Sequence, residues 1–245
     1  MSRIPEDSID MIFADPPYRL SNNGLTCQNG RMVPVNKGAW DKSNGFEEDR
    51  VFHHAWITAC RRILKPGGTI WISGTYHSIY QCGYLLQKNN FHILNDIAWF
   101  KPNAAPNLSC RFFTASHETL LWAKKDKNAK HTFNYDFMKN TPFPEDKLKK
   151  EAAQMRSVWS IPAPPKKEKA WGKHPTQKPL NLLTRIIAAS TVPGNIILDP
   201  FNGGGTTGVA CGSIGDRYYL GIEIDPAFCA LSQKRFLPGP APPET

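Results

Sequence analysis

The run Ile9 to Ala14, followed at once by Asp15-Pro16-Pro17-Tyr18, constrains the fold more than any other stretch. Ile9, Met11, Ile12 and Phe13 suit a short buried strand. Proline has no amide hydrogen, so two in succession forbid any continuation of the ladder and the strand must stop at Asp15. A carboxylate and a phenol are then carried on stiffened backbone just past the carboxyl end of a strand, where open α/β sheets place their ligands. The same four residues would also serve simply to end a strand, with Asp15 capping a turn. Alone, they leave these two readings level.

The 245 residues suffice for one large domain with a full core. No apolar run approaches the roughly 18 residues of a membrane span, and the first residues lack a basic and apolar signal pattern. A soluble cytoplasmic protein without a membrane partner is expected. The six cysteines are scattered without a C-x-x-C pair and the seven histidines show no H-x-x-x-H spacing, so neither a disulfide framework nor a metal site is expected. Of the net charge of +9, the segment Lys124 to Lys178 carries +8, from fourteen Lys or Arg against six Asp or Glu. That is either a solvated lysine-rich surface or an insertion that faces phosphates; charge does not separate the two.

Residues 19–46, rich in Asn, Gly and Ser, read as one long loop able to cover a ligand at Asp15. From Glu47, apolar residues at helical spacing predict a helix of about 18 residues ended by Pro66-Gly67-Gly68, then a strand Thr69 to Ser73. A helix over Tyr76 to Lys88 and a strand over His92 to Phe100 follow. An irregular loop from Lys101 returns to strand at Thr119 to Ala123. Residues 124–173 interleave lysines with Phe133, Tyr135, Phe137, Trp159 and Trp171 and predict little regular structure, the aromatics packing a small subcore or stacking on bases. Pro179 opens a helix. The strand Asn195 to Leu198, a glycine loop, a short helix and the strand Tyr218 to Ile222 form a second unit, and a last helix spans Pro226 to Phe236.

Gly203, Gly204 and Gly205, between a buried strand and a helix, allow backbone amides to approach a ligand at the positive end of the helix dipole. Glu223 ends the next strand, about 20 residues on, placed to accept hydrogen bonds from ribose hydroxyls, so a nucleoside-containing cofactor is expected. There is no G-K-[ST] for a triphosphate. The spacing of Phe201, Gly203 and Gly205 suits the amino-acid end of S-adenosyl-L-methionine, although a tight strand-to-helix turn would use the same glycines.

Taken together, these motifs resemble the amino-group DNA methyltransferases of the β arrangement, in which D-P-P-Y comes first, a target-recognition region next and the cofactor motif last. Asp15 to Tyr18, the basic region 124–170, His174-Pro175-Thr176-Gln177-Lys178-Pro179, Leu198 to Thr207 and Gly221-Ile222-Glu223 match in that order. Asp10 to Leu20, Trp71 to Gly74 and Asn103 to Trp122, including Pro106 to Phe113, are similar to the second adenine methyltransferases of Dpn-type GATC restriction systems, and more distantly to the GANTC enzymes.

The resemblance implies a Rossmann-like, S-adenosylmethionine-dependent methyltransferase fold: a mostly parallel α/β sheet with helices on both faces and a basic target-recognition insertion. Residues 1–123 would form its catalytic half, 124–173 the insertion, 174–236 the cofactor-binding half and 237–245 a flexible tail. It implies catalysis by Asp15, Pro16, Pro17 and Tyr18, and cofactor binding by Asp199, Phe201, Gly203, Gly205, Thr206, Thr207, Glu223, Thr176, Gln177 and Lys178. D-P-P-Y rather than S-P-P-Y implies adenine N6. Asp15 and the Pro16 carbonyl would accept the N6 hydrogens, with the base flipped from duplex DNA, or taken from a single strand, and stacked on Tyr18. Arg111 and Asn107 are candidate base readers. A cognate restriction endonuclease without a stable complex, and a homodimer, are further implied partners.

Related enzymes carry roughly another strand and turn before the equivalent of Ile4, ending in an acidic motif that contacts the cofactor's adenine. The late start of this chain leads to an expectation of weak cofactor binding or an incomplete sheet. Four alternatives stay open: an N4-cytosine DNA methyltransferase, an RNA or protein-amide methyltransferase, a truncated DNA-binding relative with impaired catalysis, and, least supported, a nicotinamide oxidoreductase.

Overall fold

The computed structural model describes residues 1–19, 25–28, 31–34, 37–146, 148, 150 and 152–236. In chain order the elements are β1 (Ile9–Ala14), β2 (Leu25–Gln28), β3 (Arg31–Pro34), α1 (Phe46–Ile63), β4 (Leu64–Gly74), α2 (Ile79–Lys88), β5 (His92–Phe100), β6 (His117–Lys124), α3 (Tyr135–Asn140), β7 (Val158–Ser160), α4 (Leu180–Ser190), β8 (Ile196–Asp199), α5 (Thr206–Ile214), β9 (Tyr218–Gly221) and α6 (Pro226–Phe236). Among the described residues seven strands form one sheet in the order β7-β5-β6-β4-β1-β8-β9. All of them run the same way except β6, which is antiparallel to both β4 and β5. The expected mostly parallel α/β architecture is therefore present.

β1 sits between β4 and β8 with both faces covered, which is why its sequence is almost uninterruptedly apolar. Alternation along it divides the core. Ile12 and Ala14 pack under α1 and α2 with Trp56, Ile57, Leu85 and Leu86, whereas Met11 and Phe13 face α4 and α5 with Leu183, Ile187 and Ala210. Because the parallel strands share a direction, the turns after β1, β4, β5, β7, β8 and β9 all emerge at one edge, and the start of antiparallel β6 joins them there.

Several boundaries differ from the sequence reading. Helix α1 stops at Ile63, and Pro66-Gly67-Gly68 lies inside β4. There the pairing with β1 jumps from Ile9↔Leu64 to Met11↔Thr69, so the prolyl-diglycyl stretch forms a bulge instead of a helix stop. A Cβ at Gly67 would stand 2.4 Å from the Lys130 carbonyl, so only glycine fits the close backbone approach. Residues 75–78 form a turn, and α2 begins at Ile79. The 19–46 stretch is not one loop: β2 and β3 pair antiparallel within it, while residues 20–24, 29, 30, 35 and 36 of the expected cover lie outside the described residues. The 124–173 segment adds β7 to the sheet beside β5, with Trp159 packed near Trp71 at 6.0 Å between ring centroids. The tail 237–245 also lies outside the described residues. Among those described, no helix is long and apolar enough to cross a membrane.

Candidate active site

Two constellations meet at the carboxyl edge. The first surrounds Asp15 at the end of β1. The Tyr18 hydroxyl lies 2.8 Å from Asp15 Oδ1, 2.8 Å from Glu118 Oε2 and 2.8 Å from Ser73 Oγ. Lys178 Nζ donates to Asp15 Oδ2 at 2.5 Å and stands 3.8 Å from Glu118 Oε2. Lys101 Nζ closes the cluster on Glu118 Oε1 at 2.9 Å. Ser73 comes from the end of β4, Glu118 from the start of β6 and Lys101 from just past β5, so the sheet topology itself gathers the group.

Burial opposes charge on all of these groups, and the outcomes differ. Burial pushes the Asp15 carboxyl above its usual range, against the pull of Lys178. Burial acts the same way on Glu118, but Lys178 and Lys101 together hold it below its ordinary value. Burial works against the Lys178 ammonium, which Asp15 and Glu118 more than offset, so it stays charged. A single phenolic proton on Tyr18 cannot satisfy two carboxylates at 2.8 Å. Ser73 Oγ, 2.8 Å from the phenol and 3.4 Å from Glu118 Oε2, brings a second hydroxyl proton to the group. Desolvating each ion costs several kcal/mol, which pairing repays only with good geometry; such a cluster is a poor stabiliser and a marker of chemistry.

The second constellation is a cavity of about 400 Å³ beside it, floored by the β8–α5 loop. That size is within the range of small-molecule sites. Of the residues expected at the site, Asp15, Pro17, Asp199, Phe201, Gly203, Thr206, Thr207, Glu223, Thr176, Gln177 and Lys178 line it. Pro16, Tyr18 and Gly205 do not. Tyr18 is only 7% exposed, with Lys178 Nζ 5.0 Å from its ring centroid. Gly205, at φ 73°, is the N-cap of α5, and a Cβ there would fall 2.1 Å from Ser232 Oγ; its part is to let α6 approach.

Asp199 accepts the Phe201 amide at 3.0 Å and the Thr207 hydroxyl at 2.6 Å, and its burial raises the carboxyl to about 7. Glu223 accepts the Gly203 amide at 2.6 Å, while its other oxygen accepts the amides of Ile224 and Asp225 at 2.9 and 3.0 Å. Both acids thus shape the loop they flank. Arg235 of α6 clamps the same loop through the Gly204 carbonyl and, at 3.1 Å, Thr206 Oγ1.

Sequence reasoning passed over an aromatic wall. Trp40 stacks on His174 with centroids 6.1 Å apart, and His174 meets Phe228 at 4.3 Å. Arg19, at φ 61°, holds Trp40 in place: its guanidinium donates to the carbonyls of Trp40 and Lys42 at 3.0 and 2.7 Å and pairs with Asp49 at 3.0 Å. Glu118 was also missed, although an acid opening the apolar strand His117 to Lys124 was a usable signal. Of the candidate base readers, Asn107 spends its side chain inside its own loop, on the Phe112 carbonyl and on Ser109, whereas Arg111 is exposed.

The family described as DNA methylase matches residues 9–234. The chain is 52% identical over 236 residues to the type II methyltransferase M2.MboI of Moraxella bovis, covering 96% of this chain and 83% of that protein. It is 50% identical to M2.DpnII of Streptococcus pneumoniae, over 96% of this chain and 85% of the relative. Among solved structures, the M1.HpyAVI complex with S-adenosylmethionine aligns at 30% identity with a TM-score of 0.66, over 93% of this chain and 88% of that one. The PvuII cytosine-N4-specific methyltransferase shares the fold at 18% identity and a TM-score of 0.71, over 98% and 84% of the two chains. With the D-P-P-Y turn, the glycine loop and this likeness over nearly its full length, the chain belongs to the N6/N4 DNA methylase family.

Proposed function

We propose that this chain is a site-specific DNA adenine methyltransferase that transfers a methyl group from S-adenosyl-L-methionine to adenine N6 within GATC, as the modification arm of a restriction system. The observation that carries the reading is the shared wall: Asp15, fixed by two prolines, lines the same cavity as the glycine loop and Glu223.

The cavity suits the cofactor chemically. Its acids, Asp15, Asp199 and Glu223, match a ligand with a sulfonium and an ammonium, and Gln177 presents a buried Oε1 with no hydrogen-bond partner. Gly203 leaves room beneath His174, whose ring would lie 3.1 Å from a Cβ at that position. Phe201, Thr206, Thr207, Thr176 and Gln177 would hold the cofactor, which supplies an electrophilic methyl group. The D-P-P-Y turn would supply the acceptors. The adenine N6 lone pair is delocalised into its ring, and hydrogen bonds from its two hydrogens to Asp15 and the Pro16 carbonyl localise it for attack. Lys178 keeps Asp15 able to accept such a bond despite burial, and Tyr18 fixes its orientation. A base stacked on Tyr18 would take the ring face away from Lys178.

Incubation with labelled S-adenosylmethionine and GATC-containing DNA, followed by nucleoside analysis, should yield N6-methyladenine and protect the sites from nucleases that cut only unmethylated GATC. Recovery of N4-methylcytosine would overturn the base assignment, and N6-methyladenine outside GATC the site assignment.

A further inference from the structure

The loop between β5 and β6, residues 101–116, rises from the active-site edge and carries two aromatic rings for which the described fold has no use. Phe113 is 97% exposed and Phe112 69%. An aromatic ring left in water forgoes the largest single contribution a side chain can make to burial, so an adjacent pair on one tip points to a partner outside the chain.

The tip is braced. At its neck the Lys101 amide donates to the Ser116 carbonyl at 2.7 Å, beside the Lys101–Glu118 ion pair. Inside, Asn107 Nδ2 donates to the Phe112 carbonyl at 2.7 Å, Asn107 Oδ1 accepts from the Ser109 amide and hydroxyl at 3.0 and 2.7 Å, and the Asn107 amide donates to Thr114 Oγ1 at 3.2 Å. A loop built this way holds its rings out at little entropic cost on binding. Its flanks are cationic: Arg111 is exposed on the tip, and Asn103 Oδ1 accepts the Ala163 amide at 3.1 Å, tying the loop to the stretch that carries exposed Lys166 and Lys167. Flat apolar faces ringed by cations fit stacked bases between phosphates better than they fit a protein surface.

We infer that Phe112 and Phe113 form a wedge that enters the DNA base stack beside the target adenine and fills the gap left when that base is extruded toward Asp15. The inference rests on the DNA adenine methyltransferase reading above. The loop stands where such a wedge must: Glu118 at its root touches Tyr18 and, through it, Asp15. Extrusion leaves an unpaired partner base and an empty step, and a ring stacked there recovers part of the lost stacking.

The test compares Phe112→Ala, Phe113→Ala and the double variant on a matched duplex and on a duplex in which the target adenine faces an abasic site. The double variant is expected to lose about tenfold or more in kcat/KM on the matched duplex, since one stacked ring is worth about that factor. The defect should shrink to about twofold opposite the abasic site, where little unpairing remains to be compensated. Phe113→Trp should restore activity, and unchanged cofactor affinity and thermal midpoint would show that the fold is intact. Wild-type rates on the matched duplex would overturn the wedge. An equal loss on both duplexes would also overturn it, by making the tip an ordinary contact. So would a change in oligomeric state, which would assign the rings to a protein interface. If the wild-type chain methylates no DNA at all, the parent reading has failed, an outcome the variants cannot mimic.

Discussion

At Asp15 the cost of burial outweighs the gain from pairing, and one lysine is the main influence opposing it. Lys178 is itself buried, 2.5 Å from Asp15 and 3.8 Å from Glu118. Replacing it with Met leaves two buried carboxylates with Lys101 as their remaining cation. Lys178→Met is therefore expected to raise the Asp15 pKa further. Transfer needs Asp15 ionised, so the acid limb of the single-turnover pH profile should move to higher pH, by about one unit or more. Activity would be low at neutral pH and partly recovered in mild alkali; a profile that falls uniformly at every pH would show a merely structural lysine. The variant should also lose about 3 kcal/mol of stability, as expected when one partner of a buried ion pair is removed. Asp15→Ala is the complementary experiment. It should lower transfer by about 10² to 10⁴ with cofactor affinity held, measured by single turnover and by calorimetry. The sequence pointed to Asp15 because two prolines announce a strand end. It placed Lys178 with the cofactor because the motif His174 to Pro179 is linear, whereas the contact to Asp15 spans 163 positions and exists only once α4 docks.

Between elements, α1 and α2 meet at a histidine that sequence spacing did not single out, His53, whose Nδ1 lies 3.6 Å from Cys82 Sγ of α2. His53 is fully buried, and its Nδ1 accepts the Trp56 indole N–H at 3.1 Å, which fixes a neutral ring with its proton on Nε2. Burial, with the nearby Arg19 charge, lowers its pKa to about 4. A pKa depressed in the folded state means that the unfolded chain binds more protons between about pH 6.5 and 4. Stability is thus full above about pH 6.5 and falls as pH drops through that window, by roughly 3 kcal/mol for this group. His174, also lowered to about 4, adds to the same limb. In urea titrations at about pH 7 and about pH 4.5, His53→Asn, whose amide oxygen can take the same indole bond, should flatten the loss by about half; an unchanged slope would refute the assignment. Elements of this kind were read well where periodicity is strong, as in α1 and α4. The bulge at Pro66 to Gly68 was misread because proline and glycine signal a break in either structure, and only the register with β1 shows which one. Likewise β7, three residues long, carries no pattern of its own and is a strand because Ala98 to Phe100 of β5 pairs with it.

On the scale of the whole molecule, charge is distributed as the chemistry requires. The acids that matter, Asp15, Asp199 and Glu223, line the cavity, whereas the excess of cations belongs to 124–178. In that segment the acid Glu168 is tied to the start of α4. Its carboxylate accepts the Leu180 amide at 2.9 Å at the start of α4, and its carbonyl accepts Gln177 Nε2 at 3.0 Å, so the turn carrying Lys166 and Lys167 is tied to the rim of the cavity. Phosphate contacts release counterions and confer no sequence preference, which separates them from base readers in a measurement. Lys166→Ala with Lys167→Ala should weaken binding to GATC and non-GATC duplexes by the same factor. Plotted as log affinity against log salt, the slope should become shallower by about one for each phosphate left unneutralised, roughly two in all. A loss confined to GATC duplexes would instead make these lysines base readers, and an unchanged slope would leave the stretch a solvated surface, with DNA held by other exposed cations at this edge and along the segment, such as Arg111, Arg156 and Lys173.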